Sequence, residues 1–190
     1  GCVVTNGMSQ YSRNERNANA AIVVGIEPER DYPGHILAGI DLQRELEKRA
    51  YELGGRDYSA PAQLVGDFLK NKASTELSAV APSYQPGIKL GDLSQALPEF
   101  AISAIREAIP AFNKKIKGFA MNDAILTGVE TRTSSPICIK RNGDLQSLNT
   151  KGLYPAGEGA GYAGGILSAG IDGIKVAEAL AKSLLNIEEG

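Results

Sequence analysis

The chain has no tryptophan, a single histidine and two cysteines among its 190 residues. Each shortage closes off some chemistry. His35 has no serine or cysteine beside it in any recognised arrangement, which argues against a hydrolytic triad and against a histidine metal site. Cys2 and Cys138 lie too far apart to give a metal-ligand spacing. They read as reduced thiols, packed or at the surface, of an intracellular protein, and the cytoplasm is the expected compartment. Positive charge is not in excess: the net charge is −2, which leaves no electrostatic case for nucleic acid or an anionic membrane as partner. No apolar run approaches the roughly 20 residues needed to span a bilayer. The start, GCVVTNG, carries neither an initiator Met nor a basic-plus-apolar leader. It reads as a chain entered mid-strand and so as a fragment, unless Gly1 is a residue left by a cleaved tag.

What the chain has in quantity is glycine, 22 residues of it, and the most informative cluster lies in Leu153 to Asp172, LYPAGEGAGYAGGILSAGID. A short apolar strand, Leu153–Ala156, is expected to run into Glu158 and then into a long helix. Gly159, Gly161 and Gly164 satisfy GxGxxG, the spacing that lets backbone approach a phosphate or ring while a helix N-terminus offers free N–H groups to negative charge. With so many glycines the match alone is weak. The dinucleotide fingerprint also needs a second strand after the helix, with an acidic residue about 20 positions on. The helical pattern runs to about Leu185, and no second strand is expected in Asn186–Gly190. The segment is therefore either a tightly packed structural turn or a cofactor-facing strand–turn–helix that closes a domain begun elsewhere. Within the helix, Leu167, Ile171, Ile174, Ala177, Leu180 and Leu184 make one apolar face. Gly170 and Gly173 cost such a helix about 1 kcal/mol each relative to alanine, which suggests close packing against strand or ligand.

Hydrophobic residues make up 43% of the chain, enough for a real core in one or two domains. Strands are expected at Cys2–Thr5 and, more strongly, at Ala20–Ile26 (AAIVVGI), with a polar loop at Asn6–Asn19 between them. A helix carrying Ile36, Ile40, Leu42, Leu46, Ala50 and Leu53 should stop at Gly54-Gly55. Asp41, Glu45 and Glu52 line its solvated face, and His35 caps or flanks its start. Ser59–Leu69 suits either extended chain or a short helix, and Leu90–Leu97 a helical turn. Pro98 opens a helix with Ile102, Ile105, Ile109, Phe112 and Ile116 on one face, and Pro110 should kink or split it. Strands are then expected at Ala124–Glu130, Pro136–Arg141 and Leu145–Leu148, with an Asn142-Gly143 hairpin turn joining the last two.

Glu130–Pro136, ETRTSSP, places a charge pair and four hydroxyls in seven positions. Such a loop can present an anion or carbonyl site, with Arg132 as a bidentate donor and Thr133, Ser134 and Ser135 as hydrogen-bonders. The same residues could equally form a polar turn that satisfies its own backbone. No residue of the chain is an obvious acid–base catalyst.

The blocks VTNGMS, NANAAIVV, PAQLVGDFL, LPEFAISAIREAIPAFNKKIKGF, GVETRTSSPICIKR and GLYPAGEGAGYAGGILSAGIDG follow one another over most of the chain. In that order they resemble the C-terminal half of the predicted FAD-dependent dehydrogenases, large bacterial flavoproteins with a glutathione-reductase-like FAD fold. The last two blocks are the specific ones. The resemblance implies a mixed α/β fragment: a substrate or cap domain over residues 1–125, and a return to a split Rossmann-like FAD domain over 126–190. Its partner would be the N-terminal FAD-binding portion of the same polypeptide. FAD would be held by Gly157, Glu158, Gly159, Ala160, Gly161, Gly164, Gly165 and Ile166, with Glu158 at the ribityl or phosphate region. The N–H groups near Gly165 and Ile166 would face the flavin pyrimidine edge. Arg132, Ser134 and Ser135 would be substrate contacts near the flavin. Related flavoproteins often have Asp where Glu158 stands.

Two functions are therefore expected to compete. One is the C-terminal part of an FAD-dependent oxidoreductase that acts on a small molecule, with NAD(P)H a candidate electron donor; the fragment alone would be inactive. The other is a stand-alone α/β module that binds a nucleotide or a partner without catalysis.

Overall fold

The structure is a computed structural model that describes residues 1–8 and 10–185. Ser9 of the expected polar loop and the tail Asn186–Gly190 lie outside the described residues. The architecture is mixed α+β: α1 (Pro28–Asp31), α2 (Ala38–Leu53), β1 (Ala60–Leu64), α3 (Val65–Leu69), β2 (Ile88–Leu90), a 3₁₀ turn at Leu93–Gln95, α4 (Glu99–Lys115), β3 (Ile125–Thr127) and α5 (Ile166–Leu185). Packing divides the chain into two compact units. The first holds Gly1–Asp31 and Asp41–Thr131; the second holds Tyr32–Ile40 and the chain from Arg132 onward.

The first unit is built on a three-stranded sheet of order β2-β1-β3. β1 pairs in parallel with β2, Ala60 opposite Ile88, and antiparallel with β3, Ala62 opposite Thr127 and Leu64 opposite Ile125. The ambiguity of Ser59–Leu69 resolves into both alternatives, since β1 passes directly into α3. Pro61 sits in the central strand although it has no N–H to donate. Its carbonyl still accepts from Gly128 N at 2.9 Å. Buried Gln63 is satisfied at both ends: its amide donates to the Lys72 carbonyl at 2.8 Å and its oxygen accepts from Leu93 N at 2.9 Å.

Two apolar clusters fill this unit. Val3, Ala50, Ala60, Leu93, Ala96 and Val129 form one. Val65, Phe68, Ile102, Ile105 and Ile109 form the other. Full burial of side chains such as Phe68, Ile102 and Ile109 contributes about 1.5–3 kcal/mol each. α4 runs unbroken from Glu99 to Lys115, where a split at Pro110 was expected. Pro110 is exposed, and Ile102, Ile105 and Ile109 anchor the opposite face on both sides of it. Arg106 fastens α4 to α3, with its guanidinium 5.0 Å from the Phe68 ring centroid and bonded to the Phe68 carbonyl and to Asn71.

The expected strands are the main correction. Cys2–Thr5 and Ala20–Ile26 lie in no strand of the described residues. Val3 N instead bonds the Glu47 carbonyl and Thr5 N the Val129 carbonyl. Around Val23 the chain keeps a two-residue alternation, with Ile22 and Val24 packed on the second cluster and Val23 58% exposed. β-branched residues favour an extended backbone, but a strand also needs a partner that local sequence does not specify.

In the second unit, Pro136–Arg141 and Leu153–Ala156 are likewise irregular. The expected hairpin is reduced to one antiparallel bridge, Arg141 with Ser147. Asn142 does turn the chain, since its N–H donates to the Gln146 carbonyl at 2.8 Å and its side chain accepts from Gln146 N at 2.9 Å. The left-handed residue is Leu145, φ 61°, so the loop is longer than a two-residue Asn-Gly turn.

Candidate functional site

The glycine-rich turn and α5 carry the candidate site. Gly157 and Gly161 have φ of 66° and 83°, the region where glycine is at no disadvantage. They close the turn with Gly161 N on the Glu158 carbonyl at 2.9 Å and Tyr162 N on the Gly157 carbonyl at 3.0 Å. Gly157 and Ala160 are buried, whereas Glu158, Gly159, Gly164, Gly165 and Ile166 are exposed. At Gly165 the amide donates to Ser168 Oγ at 3.2 Å, and the Gly165 carbonyl accepts Ala169 N as α5 begins. A helix leaves its first amides without intrahelical acceptors, so Ile166 and Leu167 offer N–H groups at this end.

Two of the sequence's specific blocks meet here. Ser135 Oγ donates to the Gly159 carbonyl at 3.2 Å, and Ile139 N donates to the Ala160 carbonyl at 3.1 Å. The fit is tight at Gly161, where a Cβ would lie 2.5 Å from the Ile137 carbonyl oxygen and 2.9 Å from Cys138 Cα. At Gly159 and Gly164 a Cβ would meet nothing within 4 Å. Thus the turn is packed along 135–139 on one side and open on the other. Of the three expected substrate contacts, Ser135 is joined to the turn, while Arg132 and Ser134 are exposed.

Sequence reasoning missed the residues that hold the turn in shape. Arg141 and Asp172 form a close ion pair, Nη2 to Oδ1 at 2.6 Å and Nη1 to Oδ2 at 3.0 Å. Their side chains are 11% and 14% exposed. Arg141 also donates to the Pro155 carbonyl at 2.8 Å and lies 3.7 Å over the Tyr162 ring. Asp172 accepts the Gly157 amide at 2.8 Å. The Arg141 guanidinium and that amide together hold the Asp172 carboxyl down to about 2. Asp172 in turn raises Arg141 above its ordinary value. A partial signal existed in the sequence: Asp172 is the first charged residue of α5, set between Gly170 and Gly173.

In the first unit, α2 grips the end of the segment that leads to Arg132. Gln43 Nε2 donates to the Thr131 carbonyl at 2.8 Å, and Thr131 Oγ1 donates to Glu47 at 2.9 Å. Glu47 is 2% exposed, a buried carboxylate that the amphipathic pattern gave no reason to single out. His35 flanks α2 as expected, its Nδ1 accepting Leu37 N and its carbonyl accepting Ala38 N. Among the described residues no group of histidine, cysteine, aspartate or glutamate could hold a metal ion, and no helix is long and apolar enough to cross a membrane.

Residues 1–133 match the family described as FAD-dependent protein, C-terminal domain-like. The chain belongs to that family. The FAD-dependent assignment thus covers the first unit and the start of the second, and it ends before the glycine-rich turn. The chain is also 54% identical over 179 residues to an uncharacterized protein of Clostridium beijerinckii, an alignment that takes in 94% of this chain and 33% of that protein. It spans about a third of the length of that relative.

Proposed function

We propose that this chain is the C-terminal part of an FAD-dependent oxidoreductase of the dehydrogenase type, and that its glycine-rich turn completes a flavin site whose main cradle is the N-terminal portion of the same polypeptide. In this reading residues 1–125 are the substrate or cap domain. Residues 126–190 return to a glutathione-reductase-like, split Rossmann FAD domain.

One observation carries the reading: the turn is packed behind but bare in front. Open space lies before Gly159 and Gly164, and the first amides of α5 stand beside it. A phosphate or a ring edge suits such a surface because no side chain keeps it from the backbone. α5 adds support. Its apolar face is left uncovered, with Leu167 82%, Ile174 63% and Leu184 73% exposed. An amphipathic helix of this kind is expected to be covered by another layer, and the family relative has two further thirds of chain from which to supply one.

The residues fit FAD as follows. Gly159 and Gly164 would bring backbone against the cofactor, with Glu158 beside the ribityl or phosphate region and the Ile166 and Leu167 amides toward negative charge. When bound, FAD would supply hydride transfer, with a small-molecule substrate on one side and NAD(P)H as candidate donor. Ser135, fixed to Gly159, would orient substrate together with Arg132 and Ser134.

The test is the colour of the full-length protein. It should purify yellow with about one FAD per polypeptide, whereas this chain alone should bind FAD poorly. A full-length protein that is colourless and cannot be reconstituted with FAD overturns the proposal.

A further inference from the structure

We infer that Arg141 and Asp172 are positioning residues for the cofactor-facing turn, a clasp that fixes the backbone of Pro155–Tyr162 before any ligand arrives. The inference rests on the FAD reading above and names the residues that make that site competent.

The turn has few means of holding itself. Its glycines give it more accessible backbone conformations than any other composition would, and each ordered residue costs conformational freedom. Two bonds of its own, Gly161 to Glu158 and Tyr162 to Gly157, close the loop without fixing its direction. The clasp does that at three points. Arg141 takes the Pro155 carbonyl at the start of the turn, Asp172 takes the Gly157 amide inside it, and the Tyr162 ring at its end lies under the guanidinium. Tyr162 is held further, since its hydroxyl accepts Arg141 N at 3.1 Å and donates to the Ile139 carbonyl at 3.2 Å.

The geometry has a direction. Every clasp contact is made on the buried side, where Pro155 and Gly157 lie, so Glu158 and Gly159 are left outward. A planar fork is needed for this, because Arg141 bonds a carboxylate and a carbonyl while its face covers an aromatic ring; a lysine ammonium cannot do all three. Asp172 stands in the second turn of α5, so the same carboxylate ties the glycine turn to the helix whose first amides share the site. Preorganisation of this sort raises affinity by removing the ordering cost from the binding step.

The experiment uses the full-length protein stripped of FAD, with FAD itself as the probe. Asp172→Asn keeps an acceptor for the Gly157 amide but loses the ion pair; Asp172→Ala loses both; Arg141→Lys keeps the charge without the fork. FAD dissociation constants should rise by about tenfold for Asp172→Asn and Arg141→Lys, and further for Asp172→Ala. Amide hydrogen exchange in the FAD-free Asp172→Asn protein should quicken at residues 157–162 while β1 and α4 keep their protection. Unchanged dissociation constants in variants of a wild type that binds FAD overturn the clasp alone. A wild type that binds no FAD overturns the FAD reading, and the clasp with it. Loss of binding in step with loss of protection across β1 and α4 shows a merely structural pair and also overturns it; Arg141→Lys, the mildest change, decides the matter if the aspartate variants fail to fold.

Discussion

Glycines of one motif play opposite parts at the scale of single residues. Gly161 has a positive φ and backbone atoms of Ile137 and Cys138 where a Cβ would go. Backbone cannot move aside as a flexible side chain can, so Gly161→Ala should destabilise the fold by about 1–3 kcal/mol in chemical denaturation. Gly159 faces open space. Gly159→Ala should leave stability within about 0.5 kcal/mol, yet weaken FAD binding by the full-length protein if the turn meets the cofactor there. Asp172 gives a pH signature. Its folded value of about 2 lies below its ordinary 3.8, so its contribution to stability is complete above 3.8 and is lost as pH falls toward 2. Asp172→Asn should therefore flatten the acid limb of a stability–pH curve in that window, and an unchanged limb would remove the ion pair from the account.

Element by element, the three long helices were legible, while the short α1 and most strands were not. α2, α4 and α5 announce themselves because an i, i+3, i+4 pattern is a property of one segment. A strand is defined by a neighbour. AAIVVGI, PICIK and LYPA have the composition of strands but pair with none in the described residues, while APAQL, with a proline in it, is the centre of the sheet. The site shows the same division. The glycine turn stood out in the sequence because glycine sterics are local, whereas its link to Ser135, 24 residues away, did not. The Arg141–Asp172 clasp joins residues 31 apart, and no local pattern couples them. Likewise, the apolar face of α5 was visible in the sequence, but its lack of cover was not. The contrast between helices is testable in the isolated chain. Ile109→Ala in α4 removes a fully buried side chain and should cost about 2–5 kcal/mol. Ile174→Ala in α5, at a 63% exposed position, should cost no more than about 0.5 kcal/mol.

For the whole molecule, the uncovered face of α5 should be visible to a hydrophobic dye. Ile166, Leu167, Ile171, Ile174, Leu184 and Leu185 are all more than half exposed. Exposed apolar area of this extent marks a surface meant for contact. The isolated chain should accordingly enhance the fluorescence of anilinonaphthalene sulfonate, and the full-length protein should do so less per mole. Equal enhancement would mean that the rest of the proposed full-length protein leaves the helix bare.

The extended segment around Val23 has a consequence for handling the chain. Apolar and β-branched, it offers a ready edge to another copy, the situation that favours intermolecular strand pairing. Slow, concentration-dependent fibril formation in storage is the expected failure, seeded from residues 20–26 and not from a molten core. A charge set at its most open apolar position, Val23→Lys, should lengthen the lag phase of thioflavin fluorescence while the melting temperature stays where it was.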